Sequence, residues 1–200
     1  MKFIKNWVIP IAVGLLIAYI IQFWFVTVRV KGPSMEPNLV NNQFVIESRK
    51  ANIKRGDVIV FDARHEDPNN KSDHKDYVKR VIGVSGDRVE HKGSNLYVNG
   101  KLVDQDYIGL TERSSGTWGD WSLTTLSKSN TWQAKDRNQS VVPKNSYFVL
   151  GDHRSVSNDS RTFGFVEKKH VNGKVIVPFW NTDKTAKGNV NEQSKRFFDK

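Results

Sequence analysis

A chain of 200 residues has room for one domain, or one domain with an appendage, because domains usually run to roughly 100 to 200 residues. Its 31 Lys and Arg against 21 Asp and Glu leave a net charge of +10, which favours anionic surfaces or acidic partners without naming one. No cysteine is present, so disulfides, thiolate catalysis, Cys-ligated zinc and iron–sulfur clusters are excluded.

The first element is a membrane span. Residues 7–28 hold 18 apolar side chains in 22 positions, and no formal charge falls between Lys5 and Arg29. At about 1.5 Å per residue such a helix measures about 33 Å, enough to cross a hydrocarbon core of about 30 Å. A removable signal peptide also begins with charges such as Lys2 and Lys5, but its apolar stretch is about 7 to 15 residues long. Phe23-Trp24-Phe25-Val26 is moreover too bulky for a small-residue cleavage site. The pattern predicts a retained anchor over 7–28 behind a short N-terminus, 1–6, with Trp7, Tyr19 and Trp24 towards its ends, where interfacial aromatics sit. Basic residues flank both sides, Lys2 and Lys5 against Arg29 and Lys31, and a thin margin puts the N-terminus on the cytoplasmic side.

Beyond the anchor the period changes to short β-type runs broken by turn residues: 43–48, 57–61, 77–84, 87–91, 96–98, 101–103, 146–150 and 173–180. Asn99-Gly100 between two apolar runs predicts a type I′ hairpin. No sustained 3.6-residue period follows the anchor, so residues 29–180 are expected to be mainly β, with antiparallel sheets that coil or pack on one another. Residues 112–140 read as an insertion whose Trp118, Trp121 and Trp132 either cover a small satellite core or form a contact surface. Residues 181–200 read as a polar, loosely ordered tail.

The residues able to do chemistry are few. Ser34 lies just past the membrane exit in Gly32-Pro33-Ser34-Met35-Glu36-Pro37, where a serine between prolines is ordinarily a turn residue. To act as a nucleophile it needs a base within hydrogen-bond reach. His65, His74, His91, His153 and His170 are candidates, and Asp152, His153 and Ser160 have the composition of a triad. A lysine can serve instead if burial strips its charge near neutral pH. Lys79 fits, because Tyr77 and Val81 share its face of a β run while Arg80 points the other way; most strand lysines nevertheless point to water. The polar stretch 151–164 either forms a long surface turn or pairs Asp159 with Arg161 and supplies a serine to orient an amine.

Taken in order behind an anchor, three segments resemble the type I signal peptidases. Ser34-Met35-Glu36-Pro37-Asn38-Leu39 is similar to the family's Ser-Met-x-Pro-Thr-Leu box, Tyr77-Val78-Lys79-Arg80 to its lysine box, and 151–164 to its Gly-Asp-Asn-Arg…Asp-Ser-Arg box. Gly56-Asp57-Val58-Ile59-Val60-Phe61 is similar to the connecting strand. The resemblance implies a largely β catalytic domain on the outer face of a membrane, a serine endopeptidase that removes signal peptides from exported preproteins. It implies Ser34 as nucleophile, Lys79 as general base and Ser157 as the hydroxyl that steadies the lysine. Asp152 with Arg80, and Asp159 with Arg161, would be structural ion pairs. Val28, Val30, Met35, Leu39, Tyr77 and Val78 match substrate-pocket positions, and ordinary core packing is the competing reading of all six. Asn38 stands where the family has Thr, His153 where it has Asn, and Gly32 where some relatives carry a serine that helps hold the oxyanion. Signal-peptide-bearing preproteins and an anionic bilayer are the expected partners, with no nucleic acid, cofactor or metal.

Three alternatives remain at this level. A self-cleaving repressor-type Ser-Lys protease shares the nucleophile segment but carries a DNA-binding region in place of a span. Ser72-Asp73-His74-Lys75 meets the Ser-x-x-Lys pattern of penicillin-recognising enzymes, without the accompanying Ser-Asp-Asn or Lys-Thr-Gly. A membrane-anchored, non-catalytic basic module binding envelope polymers is the reading from outside enzymology.

Overall fold

The computed structural model describes residues 3–68, 70 and 76–198; the Ser72-Asp73-His74-Lys75 pattern, and His74 with it, lie outside them. A π-helical turn, Ile4–Val8, leads into α1, Ile9–Trp24, with Pro10 in its first turn, where a missing N–H costs little. No residue of this 21-residue helix is buried by the rest of the chain. A helix apolar on all sides and packed against nothing has only lipid left to cover it. The chain therefore carries an N-terminal membrane anchor helix.

The anchor ends four residues earlier than the apolar run does. Residues 25–28 belong to strand β1, Phe25–Arg29, which pairs antiparallel with β2, Phe44–Ser48, from Phe25↔Ser48 to Arg29↔Phe44. Val26, Thr27 and Val28 are β-branched and favour extended backbone, and Val26 and Val28 turn inwards while their neighbours stay exposed. The Arg49 N–H donates to the Trp24 carbonyl at 3.1 Å, so helix and sheet join without a linker.

The remaining strands are β3 Val58–Asp62, β4 Asp76–Val84, β5 Val89–Lys92, β6 Asn95–Val98, β7 Lys101–Leu102, β8 Trp121–Ser122, β9 Ser146–Leu150, β10 Val166–Glu167 and β11 Val171–Ile176. Among the described residues they form two sheets whose pairs all run antiparallel, one ordered β1-β2-β11-β3-β4-β9-β10 and the other β7-β6-β5-β8. The fold is thus mainly antiparallel β behind an apolar helix. Asn99 and Gly100 both take positive φ, 54° and 76°, as a type I′ turn demands.

Central strand β3 is buried on both faces. Val58 and Val60 pack with Val30, Met35, Leu39 and Val175, whereas Ile59 and Phe61 pack with Val81, Val149 and Phe163. A third cluster lies under the smaller sheet and takes in Trp121 and Trp132. Two of the three insertion tryptophans therefore do cover a satellite core; Trp118 stays half exposed, its ring 4.3 Å from the Arg161 guanidinium. Short helices α2 Leu110–Arg113, α3 Leu123–Leu126 and α4 Ser160–Phe163 fill the connections.

The C-terminal stretch departs from the expected loose tail. It holds α5, Lys184–Asn191, capped by the Asp183 carboxylate, which accepts from the Ala186 N–H at 2.9 Å. Ala186 and Val190 lie one turn apart and are both buried, followed by buried Gln193 and Phe197. Gly56 makes room for this segment: a Cβ there would stand 2.9 Å from the Gln193 carbonyl carbon.

Candidate active site

Ser34 sits on the connection between β1 and β2. Gly32 enters it with φ 82°, a conformation open to glycine, and its N–H donates to Asn41 Oδ1 at 3.0 Å. The Leu39 N–H then donates to the Met35 carbonyl at 2.9 Å, closing a single turn. Met35 and Leu39 sink into the core beneath β3, which leaves Ser34 half-buried on top. The Ser34 carbonyl accepts from the His153 N–H at 3.1 Å, tying this turn to the segment after β9.

Lys79 occupies the middle of β4, opposite Ile59 of β3. Its Nζ is hydrogen-bonded to Ser34 Oγ at 2.8 Å and lies 5.2 Å from the centre of the Tyr77 ring. The residue is 4% exposed. Burial lowers the amine from 10.5 to about 8; the Asp159 and Asp152 carboxylates oppose that shift and Arg161 adds to it. A substantial neutral fraction beside a hydroxyl follows near physiological pH, which suits proton abstraction.

Two ion pairs frame the site. Arg80, on the opposite face of β4 from Lys79, holds Asp152 bidentately, Nε to Oδ1 at 2.8 Å and Nη2 to Oδ2 at 2.7 Å, with both side chains buried. Arg161 does the same for Asp159 at 2.9 Å for each bond. Burial works against the Asp159 charge, but Arg161 and the Gly151 N–H outweigh it and hold the carboxyl below its usual range. Ser157 makes no hydrogen bond to the Lys79 amine; its Oγ is buried without a hydrogen-bond partner. It packs against Gly151, where a Cβ would stand 2.2 Å from Ser157 Oγ and 2.6 Å from the Ser34 carbonyl oxygen.

None of the described histidine rings bonds to the Ser34 hydroxyl, which is hydrogen-bonded to Lys79 instead. His91 is held between the carbonyls of Gly119 and Arg113 at 2.7 and 2.8 Å. His170 meets Glu66 at 2.7 Å and stacks on His65, and the His153 ring lies 4.0 Å from Glu112. The Asp152-His153-Ser160 combination does not assemble either, because Asp152 faces Arg80 and Ser160 Oγ accepts from the Val149 N–H. Of the six pocket positions, Val30, Met35 and Leu39 are fully buried, whereas Val28, Tyr77 and Val78 keep some surface. Glu66, Glu167 and His170 bring ligand atoms within 4.8 Å of one another, but Lys135 already bridges the two carboxylates, filling a cation's place.

Several residues that sequence reading passed over support the site. Asn38 Nδ2 donates to Asp152 Oδ2 at 2.9 Å and to the Tyr107 carbonyl at 2.8 Å. The Arg80 guanidinium lies 4.1 Å from the Tyr107 ring centre. Arg154, wholly buried, donates to the Gly151 carbonyl, Gln105 Oε1 and the Tyr107 hydroxyl, each at 2.9 Å. Asn38 left a trace beforehand as a departure from the family's Thr, and Arg154 as the arginine of the Gly-Asp-Asn-Arg box, whereas Gln105 and Tyr107 left none.

Known proteins are similar to this chain in sequence. A family profile described as "Signal peptidase, peptidase S26" matches residues 3–180. The chain is similar to signal peptidase IB of Staphylococcus aureus strain COL, 40% identical over 184 residues that cover 90% of this chain and 91% of that protein. It is 36% identical over 181 residues to signal peptidase I of Bacillus caldolyticus, covering 87% and 88%. A crystal structure of a signal peptidase I from Enterococcus faecalis V583 shares 34% identity, with a TM-score of 0.49 over 62% of this chain and 97% of that one. The family profile and the two sequence relatives set aside the non-catalytic and repressor-type alternatives: the chain belongs to the signal peptidase family, peptidase S26, and is a membrane-anchored serine endopeptidase that removes signal peptides from exported proteins.

Proposed function

We propose that Ser34 is the nucleophile and Lys79 the general base of this peptidase. One observation carries the reading: the 2.8 Å contact between Ser34 Oγ and a buried amine that titrates at about 8. Neutral Lys79 takes the Ser34 proton as Oγ attacks the scissile carbonyl, and returns it to the departing amine. The resulting ester is opened by water activated by the same nitrogen. Gly32 offers no hydroxyl, so the Ser34 N–H is the oxyanion donor. Ser157 steadies the amine once Oγ has left it; a buried hydroxyl without a partner calls for such a use. The Arg80–Asp152 and Arg161–Asp159 pairs fix the backbone on either side. Val28, Tyr77 and Val78 line the substrate groove and Val30, Met35 and Leu39 form its floor, suiting the small residues that end signal peptides.

The N-terminus lies in the cytoplasm, the helix that ends at Trp24 brings the chain through the bilayer, and the domain that begins with β1 at Phe25 works on the outer face. Beyond the anchor the net charge is +8, which draws this face to anionic lipid. Substrates tethered by their own apolar segments then meet the enzyme in two dimensions, at raised effective concentration. The test uses detergent-solubilised protein and a labelled preprotein: Ser34→Ala and Lys79→Ala abolish cleavage and keep the fold. Processing at the wild-type level by either variant refutes the assignment. Protease accessibility on intact cells checks the sidedness.

A further inference from the structure

The C-terminal segment lies beyond the part of the chain that the family profile matches, yet it reaches the site. The last carbonyls of a helix have no partner within it. In α5 the Asn189 carbonyl accepts from Arg80 Nη1 at 2.9 Å, a cation at the helix C-terminus, where the dipole favours it. Arg80 is the neighbour of Lys79 in β4. The Asn189 side chain points to the other half of the site. Its Nδ2 donates to Asn38 Oδ1 at 2.8 Å, while its Oδ1 accepts from Arg196 Nη2 at 2.8 Å. Asn38 is 3% exposed and stands one turn after Ser34, in the same short turn.

We propose that Asn189 is a positioning residue that holds the Ser34 turn and the Lys79 strand in register, through its amide on one side and its carbonyl on the other. The proposal rests on the Ser34–Lys79 assignment above. It also accounts for Asn38 standing where the family has Thr. An amide presents a carbonyl and two N–H groups, and here it serves Asn189, Asp152 and Tyr107 at once. A threonine hydroxyl has one proton and a shorter reach. The departure inside the nucleophile box and the folded segment outside the family match are two halves of one brace.

The experiment measures preprotein cleavage by full-length protein in detergent for Asn189→Ala, Asn38→Thr, the double variant and Ser34→Ala. Asn189→Ala keeps the carbonyl that Arg80 uses and loses only the amide. The expected result is a fall in kcat of about five- to tenfold, the worth of one neutral hydrogen bond, with KM near wild type and an unfolding midpoint lower by no more than about 2 to 4 °C. Asn38→Thr breaks the same link together with bonds to Asp152 and Tyr107, and gives a fall at least as large. The double variant is no slower than the slower single one, because the pair acts as a unit. Wild-type kcat in Asn189→Ala, multiplying losses in the double variant, or a loss that follows KM and the unfolding midpoint overturns the brace. Cleavage by Ser34→Ala overturns the underlying assignment instead, so the two failures are distinguishable.

Discussion

Replacing Lys79 by methionine separates two effects that burial imposes on one side chain. The amine titrates at about 8 in place of 10.5, and at about 1.36 kcal/mol per pH unit this is roughly 3 kcal/mol withheld from folding while the lysine is charged. The folded-state value is the lower one, so the unfolded chain holds the proton more tightly. The cost is therefore fully present below pH 8 and fades as pH rises to 10.5. Methionine fills similar space without charge and forgoes the Ser34 hydrogen bond, worth about 1 kcal/mol. The net expectation at pH 7 is a gain of about 2 kcal/mol, or a Tm higher by about 4 to 8 °C for a domain of this size. Preprotein cleavage and thermal and urea unfolding of the solubilised protein, at pH 7 and pH 10.5, measure both effects. Lys79→Met should be inactive and more stable than wild type at pH 7, with the advantage gone at pH 10.5. A variant less stable at pH 7, or a stability difference equal at both pH values, refutes the claim that this lysine is held partly discharged by burial.

Three further outcomes follow from the same geometry. The kcat/KM for preprotein cleavage should rise about tenfold from pH 7 to pH 9, as the neutral fraction of a base titrating at about 8 climbs from about a tenth to about nine-tenths; a rise that continues to an inflection near 10.5 indicates an amine in water. Gly151→Ala should reduce cleavage at least about a hundredfold, since its Cβ intrudes on both the Ser34 carbonyl and Ser157 and small misplacements of reacting groups cost that much; full activity shows that the turn can yield. Phe197→Ala should destabilise the domain by about 3 to 5 kcal/mol in denaturant titration, the cost of emptying a core site; a loss below about 0.5 kcal/mol means that the end of the chain is dispensable to the fold.

What sequence reveals here depends on how far apart the interacting residues lie. Ser146–Leu150 and the Asn99-Gly100 turn are local patterns, and both are readable from adjacent residues. Strand β1 was masked because its apolar residues continue those of the anchor, and only the β-branched Val26, Thr27 and Val28 mark the change of period. The C-terminal fold was masked for the opposite reason: Ala186, Val190 and Phe197 are too sparse among polar neighbours to announce a core. At the site, Ser34 and Lys79 are 45 positions apart and were joined only by resemblance to a family. The bonds from Asn38 to Tyr107 and Asp152 span 69 and 114 positions, and no local pattern encodes them. Ser157 illustrates a remaining gap, for its segment was identified while its hydroxyl points at no partner.

The joint at Trp24 has a consequence for where the enzyme cuts. With the Arg49 N–H clasping the last helical carbonyl and β1 starting at the next residue, the protein has no slack between lipid and sheet. Five strand residues at about 3.3 Å each span roughly 17 Å, and the turn that holds Ser34 follows them with no flexible tether on the anchor side. With Ser34 as the proposed nucleophile, folded strand rather than loose chain sets where the reaction centre stands relative to the anchor, and a substrate tethered in the same bilayer has to bring its bond to that one place.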